Sequence, residues 1–362
     1  MKKILALVLV LAMSLFAFVG CTQEKPAAEQ PAAEEPAAEE PATEEPAEEP
    51  SAENAVKTGL AVVTSVGKSK DATADAEGLG QSDSVAVAVT VDADGKVVKA
   101  AIDTAQTKIK FSAEGKVTSD LTAVYKSKQE LKEEYGMVKA SKIGKEWYEQ
   151  ANALAEYFVG KTADEIKAIP TDDAGVTTDA DLVSSVTIKI NDYKEAAVQA
   201  IENAQDLGAT TDDTLGLGIL TTIAKSKDAT ADAEGQTQAY STYTVTTFDK
   251  DGKITSNIMD ASQANVKFDA TGKISTDLTA GVKTKVELGD EYGMKKASKI
   301  GKEWFEQASA FSAYVTGKTA DEVAGIEMDA EAVATDADLV SSVTVGIDGF
   351  LEVIAKTAAN AK

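Results

Sequence analysis

The chain has 362 residues, with 60 acidic residues against 36 basic ones and a formal net charge of −24. Every basic residue is lysine, histidine is absent, and Cys21 is the one cysteine. This inventory excludes a Ser-His-Asp triad, imidazole or multi-thiolate metal centres, haem ligation by histidine, iron–sulfur clusters and an intramolecular disulfide. An acidic body without arginine also lacks the means to bind nucleic acid by counterion release or to clamp phosphate with a guanidinium fork. Any redox work must therefore rest on a bound organic cofactor.

Residues 1–20, MKKILALVLVLAMSLFAFVG, read as a secretory signal: Lys2 and Lys3, then an apolar run too short to span a bilayer. Phe18-Val19-Gly20-Cys21 looks like a lipoprotein cleavage box, with Phe where Leu is usual. A lipidated Cys21, carrying acyl chains such as palmitate, would anchor the chain in membrane lipid on the extracellular face of the cell membrane. Each buried methylene adds about 0.8 kcal/mol to such an anchor. Residues 21–58 are mostly a repeated Pro-Ala-Ala-Glu-Glu unit that holds six of the seven prolines. So acidic and core-poor a segment reads as a disordered stalk, extended by up to ~3.1 Å per residue.

Beyond the stalk the chain is a tandem duplication. KSKDATADAEG at 68–78 returns at 225–235, ASKIGKEW at 140–147 returns at 297–304, and TDADLVSSVT at 178–187 returns at 335–344, each 157 residues on and without a gap. Two similar domains are expected, 59–205 and 216–362, with 206–215 as a short linker. Their length suits single domains rather than a solenoid.

Within one unit, Ser84 to Val91 alternates valine with small residues, Asp92-Ala93-Asp94-Gly95 is a turn, and Lys96 to Asp103 is the return strand of a hairpin. The Asp-rich turn lacks the spacing and the terminal Glu of a calcium loop. A second short strand pair is expected around Ile109, Phe111 and Val117. Ile143, Trp147, Leu154 and Phe158 recur at helical spacing, and Gly160 stops that helix. Trp147 and Trp304 then read as core residues and Tyr135 and Tyr292 as loop anchors. Thr162 with Glu165, and Thr319 with Glu322, are capping boxes. Val186 to Ile190 reads as a strand, followed by an amphipathic helix over 193–204. The fold class is α+β: two tandem copies of a small antiparallel sheet packed with helices.

The core of the repeated decapeptide, Asp181-Leu182-Val183-Ser184-Ser185-Val186-Thr187, resembles the flavin attachment motif Asp-x-x-Ser/Thr-Gly-Ala-Thr/Ser of FMN-binding domains. These domains occur in the C-type subunit of sodium-pumping NADH:quinone reductase, in G-type subunits of related ion-pumping complexes and in flavin-carrying surface lipoproteins. The hairpin VAVAVTVDADGKVVKAAID is similar to that family's opening. The resemblance implies FMN joined through a phosphodiester to Thr187 and Thr344 by a separate flavin transferase. Asp181 and Asp338 match the leading aspartate, and Ser184 and Ser341 the first hydroxyl residue. It further implies a flavin-based electron carrier, rather than a stand-alone enzyme, fed by a membrane quinol-linked donor. The sequence departs from the motif in placing Ser185 and Ser342 at its glycine and Val186 and Val343 at its alanine, and it lacks the family's Glu-Thr-x-Gly stretch. Those departures leave a second reading open, a non-redox cell-surface binding or structural lipoprotein that has lost the flavin site.

Overall fold

The computed structural model describes residues 54–362. The signal, Cys21 and the stalk up to residue 53 lie outside the described residues. Residues 54–362 form an α+β fold, two three-stranded antiparallel sheets packed with helices. The first repeat holds β1 (Lys57–Ser65), β2 (Gly78–Val91), β3 (Val97–Phe111), α1 (Lys128–Leu131), α2 (Trp147–Phe158), α3 (Ala163–Lys167) and α4 (Asn191–Glu202). The second holds β4 (Thr214–Thr222), β5 (Gly235–Phe248), β6 (Ile254–Phe268), α5 (Lys285–Leu288), α6 (Trp304–Val315), α7 (Ala320–Ala324), α8 (Ala337–Val340) and α9 (Asp348–Asn360). The strand orders are β1-β2-β3 and β4-β5-β6.

Each sheet is covered on both faces, which explains its composition. On β2 the side chains of Val85, Val87, Val89 and Val91 pack on α2 and α4, while Ala86 and Ala88 face the other sheet. The opposing surface brings Leu217, Ile219, Tyr243 and Val245. Tyr243 is fully buried between the sheets and shares a 2.8 Å hydrogen bond with the Ser262 hydroxyl. The layers therefore run helices, sheet, sheet, helices. The helix after each motif lies hard against the edge strand of its own sheet. A Cβ at Gly59 would fall 1.9 Å from the Ala200 carbonyl oxygen, and one at Gly216 would fall 2.4 Å from that of Thr357. Only glycine admits that approach.

The two repeats meet through equivalent contacts, as in a two-fold dimer. Phe111 stacks on Phe268 with ring centres 4.1 Å apart. The Ala72 amide donates to the Gly272 carbonyl at 2.8 Å, and the Ala229 amide to that of Gly115 at 2.7 Å. Asp71 accepts from the Ile274 amide, and Asp228 from the Val117 amide, both at 2.8 Å. The identical KSKDATADAEG segments are thus the parts that each repeat lays on the other.

The hairpin turn forms as the sequence indicates, with Asp92 Oδ1 accepting from the Asp94 and Lys96 amides at 2.9 Å and Gly95 at φ +75°. Both capping boxes are present. Four expectations change. The strand pair around Ile109 and Val117 is the end of the long β3, with one bridge from Phe111 to Val117 across a turn. Ile143 lies in the loop before α2 rather than on it. Val186 to Ile190 is not a strand; only Lys189 forms a bridge, to Val176, because glutamine and turn contacts hold the segment instead of a ladder. Lys57 and Thr58, read as the end of the stalk, open β1, and the Val56 amide donates to the Ala209 carbonyl at 3.0 Å.

Candidate functional site

The two repeated stretches ASKIGKEW and TDADLVSSVT are two sides of one junction. α2 begins with a reciprocal cap, in which the Glu146 amide donates to Glu149 Oε2 at 2.8 Å. The buried Glu146 carboxylate accepts from the Met137 and Val138 amides at 2.7 and 3.1 Å, which folds residues 137–146 over the helix start. One turn on, Gln150 lies on the apolar stripe with Trp147, Ala151, Leu154 and Phe158 and is fully buried. Its Nε2 donates to Ser141 Oγ at 3.1 Å and to the Lys145 carbonyl at 3.2 Å. Its Oε1 accepts from the Thr187 amide at 2.8 Å and from the Thr187 hydroxyl at 3.2 Å. Gln307 repeats every one of these bonds with Ser298, Lys302 and Thr344. A buried amide without partners would be costly, so its four bonds fix both loops.

Within the decapeptide, Leu182 and Val186 are buried, as are Leu339 and Val343. Asp181, Ser184, Asp338 and Ser341 face solvent, and Thr187 and Thr344 are half-buried. Asp179 Oδ1 accepts from the Asp181 amide at 3.0 Å, and Asp336 caps α8 through the Asp338 amide at 2.9 Å. Asp181 and Asp338 thus contribute main-chain donors here, while their neighbours hold the turn. Burial, and then Asp179 beside it, raises the Tyr157 hydroxyl above its ordinary value; burial and Asp336 do the same for Tyr314.

Trp147 and Trp304 are core residues, as their spacing indicates. Above them sit two buried lysines that sequence reasoning missed. Lys128 Nζ lies 4.6 Å from the Tyr135 ring centre and 5.2 Å from that of Trp147. Lys285 Nζ lies 4.6, 4.6 and 4.7 Å from Tyr240, Tyr292 and Trp304, and donates to the Tyr240 hydroxyl at 2.9 Å. Cation–π attraction partly replaces lost water, yet burial still pulls Lys285 down to about 8. Tyr135 and Tyr292 therefore anchor lysines rather than edging a pocket. The glutamines did leave a trace in the sequence: each is a polar residue on an otherwise apolar stripe, repeated in both copies.

As an attachment point for FMN, the junction fits in one respect. Thr187 and Thr344 lie on loops, half-open to solvent, with their backbone held rigid by a buried side chain. Val186 and Val343 point into the core, away from the surface. No family model, no curated protein and no solved structure matches the chain.

Proposed function

We propose that the chain is an exported lipoprotein, anchored in membrane lipid through Cys21, whose two repeats carry flavin for electron transfer outside the cell. The observation that supports this is the equivalent presentation of Thr187 and Thr344, each a half-open hydroxyl fixed through amide and side chain by its own glutamine. FMN held there would exchange one or two electrons. Gln150 and Gln307 would position the hydroxyl oxygens, and Lys145 and Lys302, whose carbonyls bind those same glutamines, set half-buried cationic side chains in the same loops. A flavin transferase and a quinol-linked donor are the partners this reading requires.

The test is expression with a flavin transferase, followed by intact mass and visible spectra. Yellow protein with FMN mass at Thr187 or Thr344, lost in Thr187→Val and Thr344→Val, supports the carrier. Colourless, unmodified protein made beside an active transferase sinks it. The second reading, a non-redox surface module, draws on the same bonds: each threonine proton already rests on an amide oxygen, and the motif's glycine and alanine are replaced by Ser185 and Val186 in one copy and Ser342 and Val343 in the other.

A further inference from the structure

The two sheets approach each other edge to edge at two places, β3 beside β4 and β6 beside β1, without a hydrogen-bonded ladder. Each gap is a cleft, and the two are equivalent under the 157-residue repeat. The first, of about 440 Å³, has Asp103, Ala101 and Leu217 on its walls. The second comprises adjoining hollows of about 480 and 340 Å³ that share Gln205, Ile258 and Val286, with Asp260, Ile258 and Leu60 at the matching positions.

The second cleft carries a charge imbalance. Its walls hold two ionisable side chains, Asp260 and Glu287, and no lysine. Asp260 is 8% exposed; its Oδ1 accepts from the Ala261 amide at 2.7 Å and the Val286 amide at 3.1 Å, and it forms no ion pair among the described residues. The nearby Lys285 gives its Nζ to the Tyr240 hydroxyl and the aromatic rings instead. Burial pushes the Asp260 carboxyl up to about 7, and Glu287 adds to the rise. Asp260 supports the charge of Lys285 across space but makes no direct ion pair with it, and a cation bound on the buried carboxylate itself would relieve its burial. The wall is mixed, with Gln199, Asn203 and Thr284 on it, but Leu60, Val62, Met259 and Phe305 give an apolar part that suits an aliphatic chain. The first cleft differs: it carries Lys99 and Lys362, and Lys99 Nζ donates to the Asp213 carbonyl at 2.5 Å.

We propose that the cleft between β6 and β1 is a binding site for a small aliphatic ammonium compound, with Asp260 as its counter-ion and the apolar wall as the seat of its chain. This proposal is independent of the flavin reading. The experiment titrates the full chain at pH 8 with n-hexylammonium, hexan-1-ol and n-hexanoate, followed by amide and methyl NMR shifts. The expected result is saturable shifts at Ile258, Met259 and Ala61 with n-hexylammonium. Hexan-1-ol should bind at least tenfold more weakly and hexanoate more weakly still, and Asp260→Asn should bring the ammonium down to the level of the alcohol. Equal binding of alcohol and ammonium, an absence of shifts at 10 mM ammonium, or shifts at residues away from this cleft would each overturn it. The comparison of probes on the unaltered protein stands even if Asp260→Asn folds poorly.

Discussion

The two repeats lay the same KSKDATADAEG segment on each other but fill equivalent interior positions differently. In the first, the helix-facing side of the sheet has Val87, Val89 and Ala100 against Ala155 of α2. In the second, the four equivalent positions are Thr244, Thr246, Asn257 and Ser312. Asn257 Nδ2 donates to both threonine hydroxyls at 2.9 Å, and its Oδ1 accepts from Ser312 Oγ at 2.7 Å. Four apolar residues have been exchanged for a closed hydrogen-bonded set. Such a set survives burial because each of its members has a partner. By contrast, KSKDATADAEG, which touches the other repeat across the two-fold, is unchanged, although the segments it meets are not: Val117 in one copy is Ile274 in the other.

The largest effects should come at that contact. Phe111 and Phe268 are fully buried and stacked on one another. Phe→Ala at such a site costs about 3–5 kcal/mol. The equivalence of the two sides makes Phe111→Ala and Phe268→Ala equal in denaturant unfolding. The double substitution should cost less than the sum of the singles, by about 0.5–3 kcal/mol, since the two rings are partners. Unequal singles, or simple additivity, would show that the two-fold contact is not a shared unit.

Much of this architecture was legible in the residues. The 157-residue period, the Asp-Gly hairpin, the α2 stripe and the Thr-x-x-Glu caps each state a local rule, and the structure obeys them. What stayed hidden was non-local. β1 is short and glycine-broken, and it reads as a strand only once α4 packs over Gly59. The docking of KSKDATADAEG on the opposite repeat has no period at all; its identity in both copies is the trace, and a recent duplication gives the same trace. Thr187 could be singled out as a hydroxyl, but its glutamine partner is 37 residues away in sequence. Lys128 and Lys285 carry no local signal, because their aromatic shelter comes from Trp147 and Trp304 on another helix.

The buried charges separate the repeats by pH. Burial raises Asp103 to about 6 and Asp260 to about 7. A raised carboxyl binds its proton more tightly in the folded state, so stability is held at low pH and falls as pH climbs from about 4 towards those values. Lys285, lowered to about 8 by burial, works in reverse: it stabilises as pH rises from about 8 towards its ordinary 10.5. Unfolding measured from pH 4 to 10 should therefore show Asp103→Asn removing a decline that ends near 6, and Asp260→Asn one that ends near 7. If the two variants leave the profile unchanged, these carboxyls are not desolvated.

The polar set of the second repeat offers a smaller and more directed test. Asn257→Ala strands Thr246 and Ser312, which costs about 1–3 kcal/mol for unpaired buried groups. Converting all four positions to the first repeat's residues (Thr244→Val, Thr246→Val, Asn257→Ala and Ser312→Ala) should recover most of that loss in thermal melting. A quadruple variant less stable than Asn257→Ala alone would mean that the backbones of the two repeats differ too much to share a core.

The smallest expected effect serves as the control for all the others. Thr162 and Thr319 cap five-residue helices, α3 and α7, accepting from the Glu165 and Glu322 amides at 3.4 and 3.3 Å, while the glutamates return bonds to the threonine amides at 2.8 and 2.7 Å. Behind them Ile166 and Val323 are both fully buried. Removing either cap by Thr→Ala should cost about 1 kcal/mol. Here neither the two-fold contact nor the exchanged interior is near, so Thr162→Ala and Thr319→Ala should agree to within ~0.5 kcal/mol, the additivity error for independent sites. A larger gap would show that the repeats unfold with unequal local stability. The differences expected of the buried aspartates and of the polar set would then have to be read against that imbalance rather than as properties of the substituted residues.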